Sequence, residues 1–270
     1  MDVRHDRRDE ALGLLTALKR DAYTAVVPCI VVTARSDAPL WFAAGADEVL
    51  EPDASPAGYV ARLTATVRRS TRDLAAQPTT RLPGAAAIDA ELARRIAEGG
   101  KFAACYADLD HFKEYNDRYG FREGDRVIRM VARVLHDCAV GVAGDEAFVG
   151  HIGGDDFILV LPLELAAPAC ELAIDVFDVL APYQYSETDR RAGYYFGKDR
   201  RGRLHRVPIM TLSIGAATNE RRHLDSAAEV SRLASEMKSF AKARTGSVYA
   251  VDRRGEHDPT APPERRVTPP

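Results

Sequence analysis

Residues 148–160 read FVGHIGGDDFILV, two short runs rich in Val, Ile and Phe around Gly-Gly-Asp-Asp. Such runs predict buried strands over residues 147–152 and 157–161, joined by a tight hairpin turn. Glycine supplies the positive φ that a primed turn needs, and aspartate is an ordinary turn residue. Taken alone, the stretch reads as a simple hairpin. Its two adjacent carboxylates nevertheless constrain the fold, because a buried hairpin carries them to the end of a sheet.

A second acidic strand end lies upstream. Residues 102–109 (FAACYADL) predict a strand that closes on Asp108-Leu109-Asp110 as the chain enters a helix over residues 112–119. If this strand neighbours the hairpin, Asp108 and Asp155 face each other across adjacent strands. Gathered carboxylates repel one another, and a hard divalent cation neutralises them. Mg²⁺ favours a few carboxylates with waters and substrate phosphates, and paired ions recur in displacement at phosphorus. The turn His111-Phe112-Lys113 opens a helix whose first N–H groups are free for phosphate oxygens. Beyond it lie Asn116 and Asp125. Guanine offers a carboxylate two adjacent donors, N1–H and N2–H₂, and adenine does not. Read individually, Asn116 and Asp125 are more often helix-end caps, with Gly124-Asp125 resembling a helix start.

Helices are expected over residues 8–20, 40–46 and 55–76, with short strands over 26–33 and 48–50. Ser55-Pro56 fits an N-cap followed by an N1 proline. The alternation argues for a parallel α/β layer, too short to cover both faces of a sheet. Val60, Leu63, Val67 and Leu74 form a narrow stripe on the long helix. It suits a two-stranded coiled coil or packing within its own domain. Residues 77–84 (QPTTRLPG) form a linker. Further helices are expected over 88–97, 125–138, 163–180 and 226–244, and strands over 208–216 and 248–251. Residues 182–207 read as a loop or small excursion. The Pro- and charge-rich tail over 253–270 is expected to be disordered.

The formal net charge of −3 gives no global reason to expect nucleic acid or an anionic membrane as partner. Cys29, Cys105, Cys138 and Cys170 lie far apart and form no zinc or disulfide pattern. The charged start MDVRHDRRDE is no secretory signal, and apolar runs fall well short of the ~18 residues a spanning helix needs. These features point to a cytoplasmic protein.

Residues 108–125 (DLDHFKEYNDRYGFREGD), 151–157 (HIGGDDF), 211–215 (TLSIG) and Ala241-Lys242 together resemble the GGDEF domain of diguanylate cyclases, with 80–84 (TRLPG) as its opening segment. The resemblance spans about residues 81–252. It implies an α+β, palm-like domain over residues 78–252 with a mostly antiparallel central sheet wrapped by helices. It implies a homodimer in which two GTP molecules condense to cyclic di-GMP and two pyrophosphates, with two Mg²⁺ (or Mn²⁺) per active site. Carried over, Asp108, the Leu109 carbonyl, Asp155 and Asp156 hold metal, and Asp155 also helps to deprotonate the 3′-hydroxyl. Asn116 and Asp125 read guanine. The Phe112 and Lys113 amides and the Lys242 side chain hold phosphates, although Lys242 by itself reads as a solvated helix charge.

There are departures. Asp156 stands where the family has Glu, one methylene longer, so slow or absent catalysis is consistent with the resemblance. His151 replaces an Arg and Phe121 a His. Residues 241–247 (AKARTGS) lack the usual Gly-Arg unless Arg244 substitutes. The inhibitory RxxD would fall at Gly144 and Ala147 and is missing, so product inhibition there is not expected. Residues 1–77 resemble the second half of a response-regulator receiver, through Val31-Val32-Thr33-Ala34, Gly45-Ala46-Asp47 and Glu51-Pro52. Asp2 stands near a phosphoacceptor position without the rest of its site. The fragment is expected to be an incomplete input or dimerisation module that meets a signalling partner. The alternative is a catalytically silent GGDEF-like scaffold that binds GTP or a protein. A palm-type oligoadenylate synthase can also show GGDD, but Asp125 and Asn116 speak against it.

Overall fold

The computed structural model describes residues 7–21, 24–198, 202–255 and 264–267. The chain forms two compact units, Met1–Ala75 and Ala76–Pro270. Asp2 lies outside the described residues.

The first unit contains α1 (Arg8–Arg20), β1 (Ile30–Val32), α2 (Ala38–Ala43), β2 (Glu48–Leu50) and α3 (Pro56–Ala75). The strands pair in parallel, Val31 opposite Val49. The core is small: Ala11, Leu15, Val31, Trp41 and Ala46. The strand expected over 26–33 shrinks to three residues. Pro28 has no N–H for a ladder, and Val26 and Val27 are half exposed. Ser55 caps α3, its Oγ accepting from Gly58 N at 3.1 Å. Along α3, Val60, Leu63 and Val67 are exposed; the Leu74 side chain lies outside what is described. Among the described residues no helix is long and apolar enough to cross a membrane.

The second unit runs α4 (Ala85–Glu98), β3 (Phe102–Leu109), α5 (Phe112–Tyr119), α6 (Phe121–Ala143), β4 (Phe148–Gly153), β5 (Asp156–Pro162), α7 (Leu163–Leu180), α8 (Glu187–Ala192), β6 (Tyr194–Lys198), β7 (Leu204–Pro208), β8 (Leu212–Thr218), α9 (Ala227–Lys242), β9 (Val248–Val251) and β10 (Glu264–Val267). Its main sheet has the order β10-β9-β8-β3-β5-β4. Every pair is antiparallel except β8 with β9.

All eight residues of β3 are buried, as a strand covered on both faces must be. Side chains alternate between faces. Ala103, Cys105, Ala107 and Leu109 join the core formed with α6 and α7. Phe102, Ala104 and Tyr106 join the core formed with α4 and α9. By this parity Asp108 and, on β5, Asp156 face α9.

Three expectations change. Helix α6 begins at Phe121, so Asp125 sits one turn inside it and is no cap; Gly120, at φ +89°, makes the break from α5 instead. The described part of residues 182–207 contains α8 and the antiparallel pair β6–β7; residues 199–201 lie outside the described residues. Part of the tail is ordered too: Glu264–Val267 pairs with β9, whose edge offers unpaired backbone groups. Residues 256–263 and 268–270 lie outside the described residues.

Candidate functional site

The hairpin turn is Gly154-Asp155, between the paired residues Gly153 and Asp156. Gly154 has φ +60°, and no positive φ occurs at Asp155, the pattern of a type II′ turn with glycine first. A bulge between His151 and Gly153 twists the strand end. The residue directly across from Asp108 is Asp156, not Asp155. Sequence reasoning had faced Asp108 with Asp155; the turn takes up Asp155 and passes the ladder position to its neighbour. The other side of Asp108 is Ser213 on β8.

Two lysines one helical turn apart on α9 meet these carboxylates. Lys242 Nζ donates to Asp108 Oδ1, and Lys238 Nζ donates to Asp156 Oδ1 while lying 3.1 Å from Asp108 Oδ2. Burial pulls the Lys238 ammonium down, but its bonds to Asp156 and Asp108 outweigh that and hold it above its ordinary range. Asp108 is only 5% exposed. Burial pushes its carboxyl up to about 6 despite both lysines, with nearby Asp155 adding to the rise. Burial, then the Asp156 charge, raises Asp155 as well. Asp110, next along, accepts from Thr211 Oγ1 and Ser213 Oγ, each at 2.7 Å, and so ties the strand end to the TLSIG segment.

Among the described residues, no three His, Cys, Asp or Glu side chains stand close enough to hold a metal ion together. The donor chemistry is informative. Asp108 is a buried and Asp155 a half-buried oxygen donor, and the charged form of each is disfavoured as it stands, so a hard cation would relieve both. With the Leu109 carbonyl they are the groups that could hold one divalent ion. Asp156 is already engaged by Lys238.

Helix α5 starts at this strand end. His111 precedes it with φ +64° and offers no side-chain cap, which leaves the first-turn N–H groups of Phe112 and Lys113 without helical acceptors. A cavity of about 660 Å³ opens there, lined by Asp110, His111, Glu114, Thr211, Lys242 and Arg244. The excursion supplies part of its wall through Gly193 and Pro208. The Arg244 guanidinium donates to the Phe240 carbonyl.

Asn116 points from α5 toward α6. Its Oδ1 is buried and has no hydrogen-bond partner among the described residues. It abuts Gly124, where an added Cβ would lie 1.8 Å from that oxygen. Asp125 follows immediately and is exposed. Of the two residues expected to read guanine, Asn116 thus lies against Gly124 of the facing helix, and Asp125 is the next residue of that helix.

His151 holds the turn from the opposite face. It is 2% exposed and stacks on Phe157 with ring centroids 4.5 Å apart. Nδ1 pairs with Thr80 Oγ1 at 3.0 Å and Nε2 with the Gly154 carbonyl at 3.1 Å. Gln77 Nε2 donates to the Ile152 carbonyl at 3.0 Å, so the opening segment is bound to the hairpin at several points.

Sequence reasoning missed Lys238, Asp110, Gly124 and Gly215. The spacing Lys238–Lys242 was the available signal for the first, since i and i+4 share a helix face. Gly215 lies within TLSIG; a Cβ there would come within 1.9 Å of Lys238 N, so only bare backbone lets α9 lie this close to β8.

Residues 75–189 match the family described as diguanylate cyclase, GGDEF domain. Among curated relatives, the diguanylate cyclase DgcP of Pseudomonas aeruginosa is 35% identical over 89 residues, 32% of this chain and 13% of that protein. The cyclic di-GMP phosphodiesterase PdeB of Shewanella oneidensis is 37% identical over 75 residues, 28% of this chain and 8% of that protein. The chain therefore spans a small fraction of the length of these relatives. The fold resembles the coiled coil and GGDEF domain of DgcB from Caulobacter crescentus, solved with c-di-GMP, with TM-score 0.55 and 23% identity over 81% of this chain and 100% of that one. Residues 75–189, part of the chain, are thus similar to the GGDEF family.

Proposed function

We propose that the second unit is a diguanylate cyclase domain, condensing two GTP into cyclic di-GMP and two pyrophosphates in a bacterial signalling pathway. The observation that carries this reading is the register that sets Asp108 directly opposite Asp156, with Asp155 in the turn, at the strand end from which α5 starts. Each 3′-oxygen forms a bond to the α-phosphorus of the other GTP, and each pyrophosphate leaves. One chain supplies one such site, so the product requires two copies face to face.

Asp108, Asp155 and the Leu109 carbonyl would hold a divalent cation, Mg²⁺ or Mn²⁺. Such an ion, when bound, offsets charge on the phosphates and orients them. The Phe112 and Lys113 N–H groups and Lys242 hold phosphate oxygens at the mouth of the cavity. Asp155, its carboxyl raised by burial, accepts the 3′-hydroxyl proton more readily than an exposed aspartate would. Asn116 and Asp125 select guanine; a purine that leaves the Asn116 oxygen unpaired is penalised. The exposed stripe of Val60, Leu63 and Val67 supports self-association through α3. The first unit serves as a partial receiver-like module that meets a signalling partner, and the protein works in the cytoplasm.

The test is incubation of the full chain with GTP and Mg²⁺, and separately with ATP, followed by mass analysis of the products. Cyclic di-GMP from GTP alone is expected. Bound GTP without turnover at dimer-forming concentrations would mark a silent scaffold, and oligoadenylates would overturn the guanine reading.

A further inference from the structure

The acidic strand end is compensated from within the chain. Asp108 and Asp156 are direct antiparallel partners, a spacing of about 4.5–5.5 Å between Cβ atoms at which like charges destabilise a sheet. Lys238 lies between them and touches both. Its side chain is only 16% exposed, and its backbone is seated on the bare Gly215 position of β8. The contact is therefore built into the packing of α9 on the sheet. Lys242 takes the remaining oxygen of Asp108, so both oxygens of that carboxylate face an ammonium. Three carboxylates, Asp108, Asp155 and Asp156, meet two ammonium groups and leave one negative charge over.

We propose that Lys238 occupies one of the two cation positions at this site, so that the domain binds a single divalent ion beside the nucleotide where a two-ion centre is the usual device. A second ion drawing on Asp108 and Asp156 would displace a largely buried ammonium and leave it without a counter-ion, which is strongly unfavourable. The remaining ion belongs with Asp155 and the free lone pairs of Asp108. Lys238 is thus a positioning residue: it fixes Asp156 and removes it from the metal's donor set. The proposal rests on the nucleotide-binding reading above.

The experiment is Mn²⁺ electron paramagnetic resonance on the full chain with a non-hydrolysable GTP analogue, excess metal being removed by gel filtration. Two Mn²⁺ ions at the ~3.5–4 Å of a two-metal centre give a spin-coupled spectrum, and a single ion gives the simple six-line pattern. The wild-type chain is expected to show one uncoupled ion. Lys238→Met, which keeps much of the packing volume and removes the charge, is expected to show a coupled pair; Lys238→Arg is expected to keep the single ion. A coupled pair in the wild-type chain overturns the proposal, whatever the variants do, and leaves the cyclase reading intact. An uncoupled ion in a folded Lys238→Met chain also overturns it. Nucleotide bound with no protein-held Mn²⁺ in any of the three overturns both the proposal and the metal assignment, whereas product formation from GTP is read separately.

Discussion

The acidic end of the sheet and the groove between α5 and α6 treat buried polarity in opposite ways. At the sheet end three of the four carboxylates are met by side chains: Lys238 and Lys242 for Asp108, Lys238 for Asp156, two hydroxyls for Asp110. In the groove, the Asn116 oxygen is buried with no partner among the described residues. A satisfied cluster stabilises the empty protein and must rearrange to admit a ligand. An unsatisfied group costs the empty protein about 1–3 kcal/mol, a cost that a ligand with the right donor removes. On the proposed reading, metal and phosphate recognition is a matter of exchange, and base recognition a matter of completion.

The comparison can be broken first at the sheet end. Asp155→Asn keeps the turn but removes the carboxylate that no lysine engages directly. Turnover is expected to fall by about 10³-fold, the scale of losing one main electrostatic contributor, read as cyclic di-GMP formed per unit time. Activity within tenfold of wild type would show that the exchange happens elsewhere. In the groove, Asn116→Ala is expected to lower the preference for GTP over ATP by about 10²-fold. The same change should leave the ligand-free fold as stable as before or better by ~1 kcal/mol, because an unpaired oxygen disappears. Competition binding and urea melts read the two effects; a clear loss of stability would mean that the oxygen had been satisfied.

A smaller effect is expected at Gly124→Ala. The new methyl would meet Asn116 Oδ1 at 1.8 Å and turn the amide aside, which should weaken GTP binding about tenfold. Alanine's helical preference, up to ~1 kcal/mol over glycine, partly offsets the overpacking, so the melting temperature should move little. Calorimetric titration beside a thermal melt separates the two.

The smallest effect concerns His151. Burial holds its pKa below the ordinary 6.5. The unfolded chain therefore takes up a proton near that pH while the folded chain does not, and stability falls as pH drops through 6.5 toward the folded value. The slope is at most ~1.4 kcal/mol per pH unit for one proton. Asp108 works with the opposite sign between 3.8 and about 6, since its raised carboxyl is protonated first in the folded chain. Subtracting His151→Gln from wild type isolates the histidine. An identical pH profile for the two would show that His151 titrates normally.

Much of this was legible in the residues. The short apolar runs around Gly-Gly-Asp-Asp and the strand closing on Asp108 placed the acidic end of the sheet, and helices Leu163–Leu180 and Phe112–Tyr119 fall at the expected residues. The Asp108–Asp156 register was not legible, because a one-residue shift depends on how the turn is closed. The β6–β7 hairpin was hidden by charge and glycine, its order resting on Tyr195 packed among Tyr119 and Tyr185 across the fold. Lys238 looked like any helix lysine, since nothing local distinguishes a charge that faces carboxylates from one that faces water.

Gly215 decides more than its size suggests. One methyl group there would meet the Lys238 backbone at 1.9 Å, and the only relief is to lift the whole helix. Both ammonium groups travel on that helix, so they would leave Asp108 and Asp156 together. The charge balance of the chemistry is hinged on an absent carbon, and a mutational scan confined to polar residues would pass over its most sensitive position.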